Sequence, residues 1–141
     1  MLNLIKLVVG VASLEELAAR QTLPQNLHAP AGATVALPVV HTRAFPRQAE
    51  ALLEGGSLYR VIGGLILCRQ TLEAIETHTR ADGSTGTLLF LSPTIIRVQA
   101  RPMRPFQGWR YLAQADAPPD STTTAADLPE TLLRGLSELG L

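Results

Sequence analysis

The sequence predicts an α+β domain, with a small mixed, mostly antiparallel curled sheet or pseudo-barrel and two or three flanking helices. Three observations predict this class. A buried-strand pattern and a capped helix open the chain, and apolar runs separated by glycine and proline turns fill its middle. A length of 141 residues is enough for one hydrophobic core.

The first segments are a strand and a helix. Residues 2–10, LNLIKLVVG, have the leucine and β-branched content of a strand buried on both faces. In residues 13–21, SLEELAARQ, Ser13 can cap a helix, and Glu16 three residues later completes a capping box. Residues 22–34 contain two prolines and a glycine and predict an irregular loop.

The next segments predict a strand and a short helix. Residues 34–43, TVALPVVHTR, form an apolar strand that Pro38 interrupts or places at an edge. Pro46 suits the first position of a helix. Residues 47–56, RQAEALLEGG, therefore predict a short helix that ends at glycine.

The central segment predicts a hairpin. In residues 57–79, Gly63 and Gly64 separate two apolar runs and form either a tight turn or a bulge. A helix through residues 73–75 is the alternative for the second run. The ADGSTG segment, residues 81–86, then predicts a second hairpin turn.

Two further strands and a tail complete the chain. TLLFLSPTIIRVQAR, residues 87–101, predicts two strands that are split at Ser92-Pro93. We expect a single α+β domain over residues 1–112. Residues 113–141 predict a Pro/Thr-rich linker followed by a leucine-rich amphipathic helix.

Charge is unevenly distributed although the net charge is zero. Residues 43–110 hold nine arginines against five acids, whereas residues 111–141 hold one arginine against five acids. A basic body with an acidic tail can bind a polyanion, or the tail can fold back on the body. Solvated charges without a partner are the third interpretation.

The sequence predicts no metal site, no cofactor and no membrane segment. His28, His41 and His78 are scattered and lack a nearby carboxylate or cysteine partner, and no phosphate-binding loop or GxGxxG motif occurs. The single cysteine, Cys68, is expected to be a small buried hydrophobe in a reducing compartment. Residues 1–10 are too short to span a membrane and lack signal-peptide features, so we expect a cytoplasmic location.

The segment RPMRPFQGWRYL, residues 101–112, concentrates aromatic and cationic side chains. It holds three of the six aromatic residues and three of the eleven arginines. Guanidinium groups bind phosphate and aromatic faces stack on unpaired bases, which favours a single-stranded nucleic-acid or nucleotide surface. The alternative is that Phe106 and Trp109 belong to the core, while the flanking arginines point to water or pair with the acidic tail.

The segment HTRAFPRQ is a second candidate anion-binding surface. His41, Arg43 and Arg47 alternate along a strand end and a helix start, where free backbone N–H groups favour an anion. A solvated strand end is the alternative.

Several of these segments resemble an uncharacterised bacterial family, domain-of-unknown-function family 1489. The resemblance covers residues 3–120 and rests on residues 41–70, on RPMRPFQGWRYL and on DAPPD, with GGSLY, RPFQGWRYL and APPD as specific signatures. The family pattern has tryptophan and lysine where this chain has Arg60 and Gly63. The resemblance implies no established activity.

A looser similarity is to the PUA-like superfamily, which includes the ASCH and EVE domains. It rests on LLEGGSLYRV, a helix that runs into a glycine turn, and on GGLILCRQ, the start of the second strand of a central pair. This resemblance implies a small mixed barrel that binds RNA or a modified base in a cleft. It favours a binding module over a catalyst.

The leading hypothesis is therefore an RNA-binding or modified-nucleobase-binding domain. In it, Arg43 and Arg47 contact phosphate, Ser57 and Tyr59 line a cleft, and Trp109 stacks on a base. The full set of candidate ligand-binding residues is His41, Arg43, Arg47, Ser57, Tyr59, Arg101, Arg104, Gln107, Trp109 and Arg110.

Two other classes of function stay open. One is an interaction or structural protein, in which the C-terminal helix docks on a protein partner or on a second copy of the chain. The other is an enzyme that acts on a nucleotide or RNA, with His41 as the acid–base group.

Overall fold

A computed structural model of the chain describes residues 1–121, and the predicted C-terminal helix lies outside them. The described residues form a strand-rich α+β unit with a mixed, curled sheet, as predicted. Its strands and α-helices are β1 (Leu2–Leu7), α1 (Leu14–Gln21), β2 (Leu27–His28), β3 (Leu37–Thr42), α2 (Ala49–Leu52), β4 (Ser57–Ile62), β5 (Leu65–Thr79), β6 (Thr85–Leu91), β7 (Ile96–Pro102) and β8 (Trp109–Ala113).

The sheet is organised around β5. The strand order is β2-β3-β6-β5-β4-β1-β8, and β7 pairs with β5 beside this path. The first half of β5 pairs with β4 and β7, and its second half pairs with β6 after a register shift between Leu72 and Ala74. Such irregularities bend and twist a strand. Within residues 1–121, β2 and β8 remain at opposite ends of the pairing path, so the sheet curls without closing.

The predicted start of the chain is confirmed. Strand β1 is followed by α1, where the Ser13 hydroxyl accepts a hydrogen bond from the Glu16 N–H at 3.1 Å. The Glu16 carboxylate in turn accepts one from the Ala12 N–H at 2.8 Å, one residue before the position of an ordinary capping box. Leu14 and Leu17 then bury one side of α1 against the sheet.

Helix α2 begins later than the sequence predicts. Pro46 is buried and does not occupy the first helical turn, because α2 begins at Ala49. The backbone N–H of Gln48, the residue that caps α2, donates to the Tyr111 hydroxyl at 3.1 Å. The start of this helix is therefore stabilised by a side chain from β8. The local sequence around α2 does not reveal that contact.

The central hairpin is confirmed, and the alternative helix through residues 73–75 is wrong. Gly63 and Gly64 connect β4 to β5 with φ angles of 57° and 84°. Two consecutive positive φ angles are those of a tight type I′ turn. Residues 73–75 continue β5, because the β-branched residues of this segment suit pairing with β6.

The later turns also match the prediction. The ADGSTG segment connects β5 to β6, and the break at Ser92-Pro93 separates β6 from β7. Side chains then divide between the two faces of the sheet. One face packs Leu4, Leu58 and Leu52 of α2, while the other packs Ile5, Tyr59 and Val98; Cys68 is buried beneath α1.

Candidate functional site

A cleft of about 730 Å³ opens where β1, β3 and β8 come together with the loop that precedes β8. We call it the Trp109 cleft. Its lining includes an indole, an imidazole, an amide and three cationic side chains: Trp109, His41, Gln107, Lys6, Arg43 and Arg80.

Trp109 is held in place from two sides. Its indole Nε1–H donates to the backbone carbonyl of Ala44 at 2.8 Å, and its ring meets the Tyr111 ring edge-on with centroids 4.9 Å apart. The indole is half-buried and packs against the core cluster that contains Leu4 and Leu58. Trp109 therefore contributes to the core and also lines the cleft.

The cleft is cationic. Lys6, Arg43 and Arg80 line it, and no carboxylate does so among residues 1–121. One Arg80 nitrogen donates to the Thr42 carbonyl at 3.3 Å, which fixes the guanidinium beside β3. Gly86 leaves room for that guanidinium, since a Cβ there would lie 2.6 Å from Arg80 Nε.

Two histidines that are far apart in the sequence, His41 of the cleft lining and His78, come together beside the cleft. The rings of His41 and His78 lie 5.8 Å apart in an edge-on arrangement. Burial lowers the pKa of His41, and the positive charges of His78, His28 and Arg80 lower it further. In a catalytic triad, a carboxylate orients the histidine. No carboxylate of residues 1–121 lines this cleft, so none orients His41 from within the lining.

Four of the ten predicted ligand-binding residues come together in this cleft: His41, Arg43, Gln107 and Trp109. Sequence reasoning missed Lys6 and Arg80. The signal for Lys6 was present, because it is the only charged residue in a strand whose other residues, apart from Asn3, are apolar. Arg80 gave no local signal, since it lies in a hairpin turn far from the other cleft residues in the chain.

Ser57 and Tyr59 are not part of the Trp109 cleft. Alternate residues of a strand face opposite sides of the sheet, so these two residues of β4 lie on the face away from Lys6 and Trp109. They line a separate space of about 570 Å³, which we call the Ser57 pocket.

The polar groups of the Ser57 pocket are engaged with one another. Arg69 donates to the Ser57 hydroxyl at 2.9 Å and makes a bidentate pair with Asp120 at 2.7 and 2.8 Å. The Ser57 N–H donates to the Asn3 side-chain oxygen at 2.9 Å. Through this pair, Asp120 of the acidic C-terminal part of the chain contacts the basic body.

The other predicted arginines do not line the cleft. Arg101 donates to the Asp116 carbonyl at 2.8 Å, and the Arg110 guanidinium lies 4.6 Å from the centre of the Phe106 ring. Arg47 and Arg104 are exposed. Successive side chains of β8 point to opposite faces of the sheet. Because Trp109 faces the cleft, its neighbour Arg110 faces away from it.

Metal-binding clusters and membrane-spanning helices are both absent from residues 1–121. No group of three or more histidine, cysteine, aspartate or glutamate side chains in residues 1–121 is placed to hold a metal ion. In the same part of the chain, neither α-helix has the length and apolar character needed to cross a membrane.

Comparison with known proteins identifies the family of this chain. Neither the curated proteins nor the solved structures contain a match to this chain. A family match extends over residues 4–141 and so includes every residue that lines the Trp109 cleft. The chain therefore belongs to the family described as Protein of unknown function (DUF1489).

Proposed function

We propose that this protein binds single-stranded RNA, with one unpaired base, ordinary or modified, at Trp109. The observation that carries the proposal is the composition of the Trp109 cleft. Three cationic side chains and one indole line a space of about 730 Å³, and no carboxylate lines it within residues 1–121. Surfaces that bind single strands combine a positive groove with an aromatic ring for stacking.

The positions of the cations support phosphate binding. Lys6 lies beside Trp109 across the β1–β8 pair, while Arg43 and Arg80 approach from the side of β3. Arg80 is anchored to the Thr42 carbonyl, so less conformational freedom is lost when it binds. Gln107, on the loop before β8, adds an amide that can donate to or accept from a base edge.

The proposal includes a PUA-like fold. The support is a small, mixed, curled sheet in which the short helix α2 leads through glycines into the central strands β4 and β5. PUA-like domains hold RNA or modified bases in a cleft, and the Trp109 cleft is the corresponding candidate here. A cytoplasmic location fits an RNA ligand and is part of the same proposal.

Fluorescence anisotropy with a labelled single-stranded RNA of about 12 nucleotides tests the proposal. We expect Trp109→Ala to weaken binding about 5- to 150-fold, which corresponds to the loss of one stacked base, and Trp109→Phe to retain most of the affinity. Each of Arg43→Gln and Arg80→Gln should make the slope of log affinity against log salt less steep by about 0.7.

Arg69→Gln is the matched control. It removes the same charge from the opposite face, where Asp120 already pairs with that guanidinium. RNA affinity that is independent of salt, or equal in Trp109→Ala and the unchanged chain, would overturn the proposal. So would equal effects of Arg69→Gln and Arg43→Gln, or the absence of RNA binding.

A further inference from the structure

A second, smaller pocket lies next to the Trp109 cleft and shares Lys6 with it. We call it the Arg60 pocket, and its volume is about 250 Å³. Three cationic side chains, Lys6, Arg20 and Arg60, line it, and no carboxylate of residues 1–121 does so. Val9, which is 80% exposed, is also part of the lining, so the pocket opens to solvent.

Arg60 is the unusual member of this group. It is only 7% exposed, and one of its terminal nitrogens donates to the Gln70 side-chain oxygen at 2.8 Å. Its Nε–H has no hydrogen-bond partner among residues 1–121, although it is buried. Burying an ionised group is unfavourable unless it is paired, and a buried donor without a partner adds to that cost.

The neighbours of Arg60 make its charge less favourable. Lys6 lies directly opposite it across the β1–β4 pair, where like charges are destabilising. Arg20 donates to the backbone carbonyls of Val9 and Gly10, and no carboxylate of residues 1–121 forms an ion pair with it. The pKa of Lys6 is lowered, mainly by burial and also by the positive charge of Arg60.

The remaining walls are mostly apolar. Leu17 of α1, Val39 and Val40 of β3, and Leu91 of β6 line the pocket opposite the cations. A volume of about 250 Å³ is below the range of roughly 300–1,000 Å³ found for drug-sized ligands. The occupant that fits is small, with one anionic end and one apolar end.

We propose that the Arg60 pocket binds a small organic carboxylate. The carboxylate group lies among Arg60, Lys6 and Arg20, which supply its positive charges, and the alkyl part contacts Val39 and Val40. The apolar walls favour such a ligand over inorganic phosphate, which has no apolar surface to bury. This inference goes beyond RNA binding at the Trp109 cleft and does not depend on it.

Titration calorimetry of the full chain with acetate, butyrate, hexanoate and inorganic phosphate tests the inference, with ionic strength matched by sodium chloride. We expect affinity to rise about fourfold per methylene from acetate to butyrate, since each buried methylene contributes ~0.8 kcal/mol. Phosphate should bind more weakly than butyrate. In NMR spectra, the Arg60 Nε–H signal should shift on saturation with butyrate, while that of Arg69 stays in place.

Variants separate this site from general anion binding. Arg60→Met should weaken butyrate binding at least tenfold, Arg20→Gln should weaken it less, and Arg69→Gln on the opposite face should leave it unchanged. Arg60→Met should also retain RNA binding, so the two proposals can fail independently. Absence of saturable carboxylate binding, tighter binding of phosphate than of butyrate, or equal butyrate affinity in Arg60→Met and Arg69→Gln would overturn the inference.

Discussion

Lys6 and Arg60 lie directly opposite each other on the parallel strands β1 and β4. The pocket that both side chains line contains no carboxylate from residues 1–121. Burial lowers the pKa of Arg60 to about 10, and the charge of Arg20 lowers it while Cys68 opposes the shift. The fold therefore holds a charged pair at a place where burial and mutual repulsion both act against it.

Replacing the buried charge should stabilise the free protein. Because the pKa of Arg60 is lower in the folded chain, the unfolded chain binds more protons in the window from about pH 10 up to the ordinary pKa of arginine. The penalty is fully present at neutral pH and disappears as pH rises through that window. We expect Arg60→Met to raise the free energy of unfolding by about 1–3 kcal/mol at neutral pH, as measured by urea denaturation. A loss of stability in Arg60→Met would contradict this prediction.

His41 should make the fold sensitive to mild acid. Its pKa is lowered from the ordinary 6.5, mainly by burial and then by the charges of His78, His28 and Arg80. The unfolded chain therefore binds more protons, and stability decreases as pH falls through 6.5 towards the folded-state pKa. We expect His41→Gln to reduce this decrease when thermal unfolding is followed against pH. An unchanged pH profile in that variant would contradict the prediction.

The bidentate pair between Arg69 and Asp120 should contribute modestly to stability. The Asp120 side chain is 48% exposed, and pairs of this kind are worth about 0.5–1 kcal/mol. The Arg69 hydrogen bond lowers the pKa of Asp120 from its ordinary 3.8, so this stabilisation is present above that value and is lost as pH falls through the folded-state pKa. Asp120→Asn should thus lower stability at neutral pH but not in strong acid.

The matched control for that experiment is Asp116→Asn. Asp116 lies in the same segment, and Arg101 binds its backbone carbonyl, which the substitution retains. We expect Asp116→Asn to unfold at the same urea concentration as the unchanged chain. Equal effects of the two substitutions at neutral pH would show that the Arg69 pair adds no stability.

Gly56 should be intolerant of any side chain. A Cβ at this position would lie 2.2 Å from the Leu2 carbonyl oxygen and 2.5 Å from that of Leu52. Backbone atoms of β1 and α2 would have to separate, so we expect Gly56→Ala to lower the free energy of unfolding by more than about 3 kcal/mol. Gly32→Ala is the control. Apart from its chain neighbours, no atom of residues 1–121 would lie within 4 Å of a Cβ at this position, so only the positive φ opposes alanine, at about 1 kcal/mol. Equal losses in the two variants would contradict the steric explanation.

Local patterns in the sequence were sufficient for most secondary-structure elements. Ser13 and Glu16 predicted the start of α1, the Gly63-Gly64 pair predicted the central hairpin, and Ser92-Pro93 predicted the break between β6 and β7. Each of these signals works through backbone geometry or a hydrogen bond within a few residues. The start of α2 was missed because Tyr111, 63 residues from Gln48 in the chain, provides its hydrogen bond.

The sequence by itself determined the α+β class of the fold, because alternation, capping and turn residues act over short distances. Only the tertiary structure decided which side chains share a pocket. Strand register places Lys6 between Trp109 and Arg60, brings His41 to His78, and puts Ser57 and Tyr59 on the opposite face. Register depends on long-range pairing and on bulges in β4 and β5, and a shift of one residue would exchange the two faces.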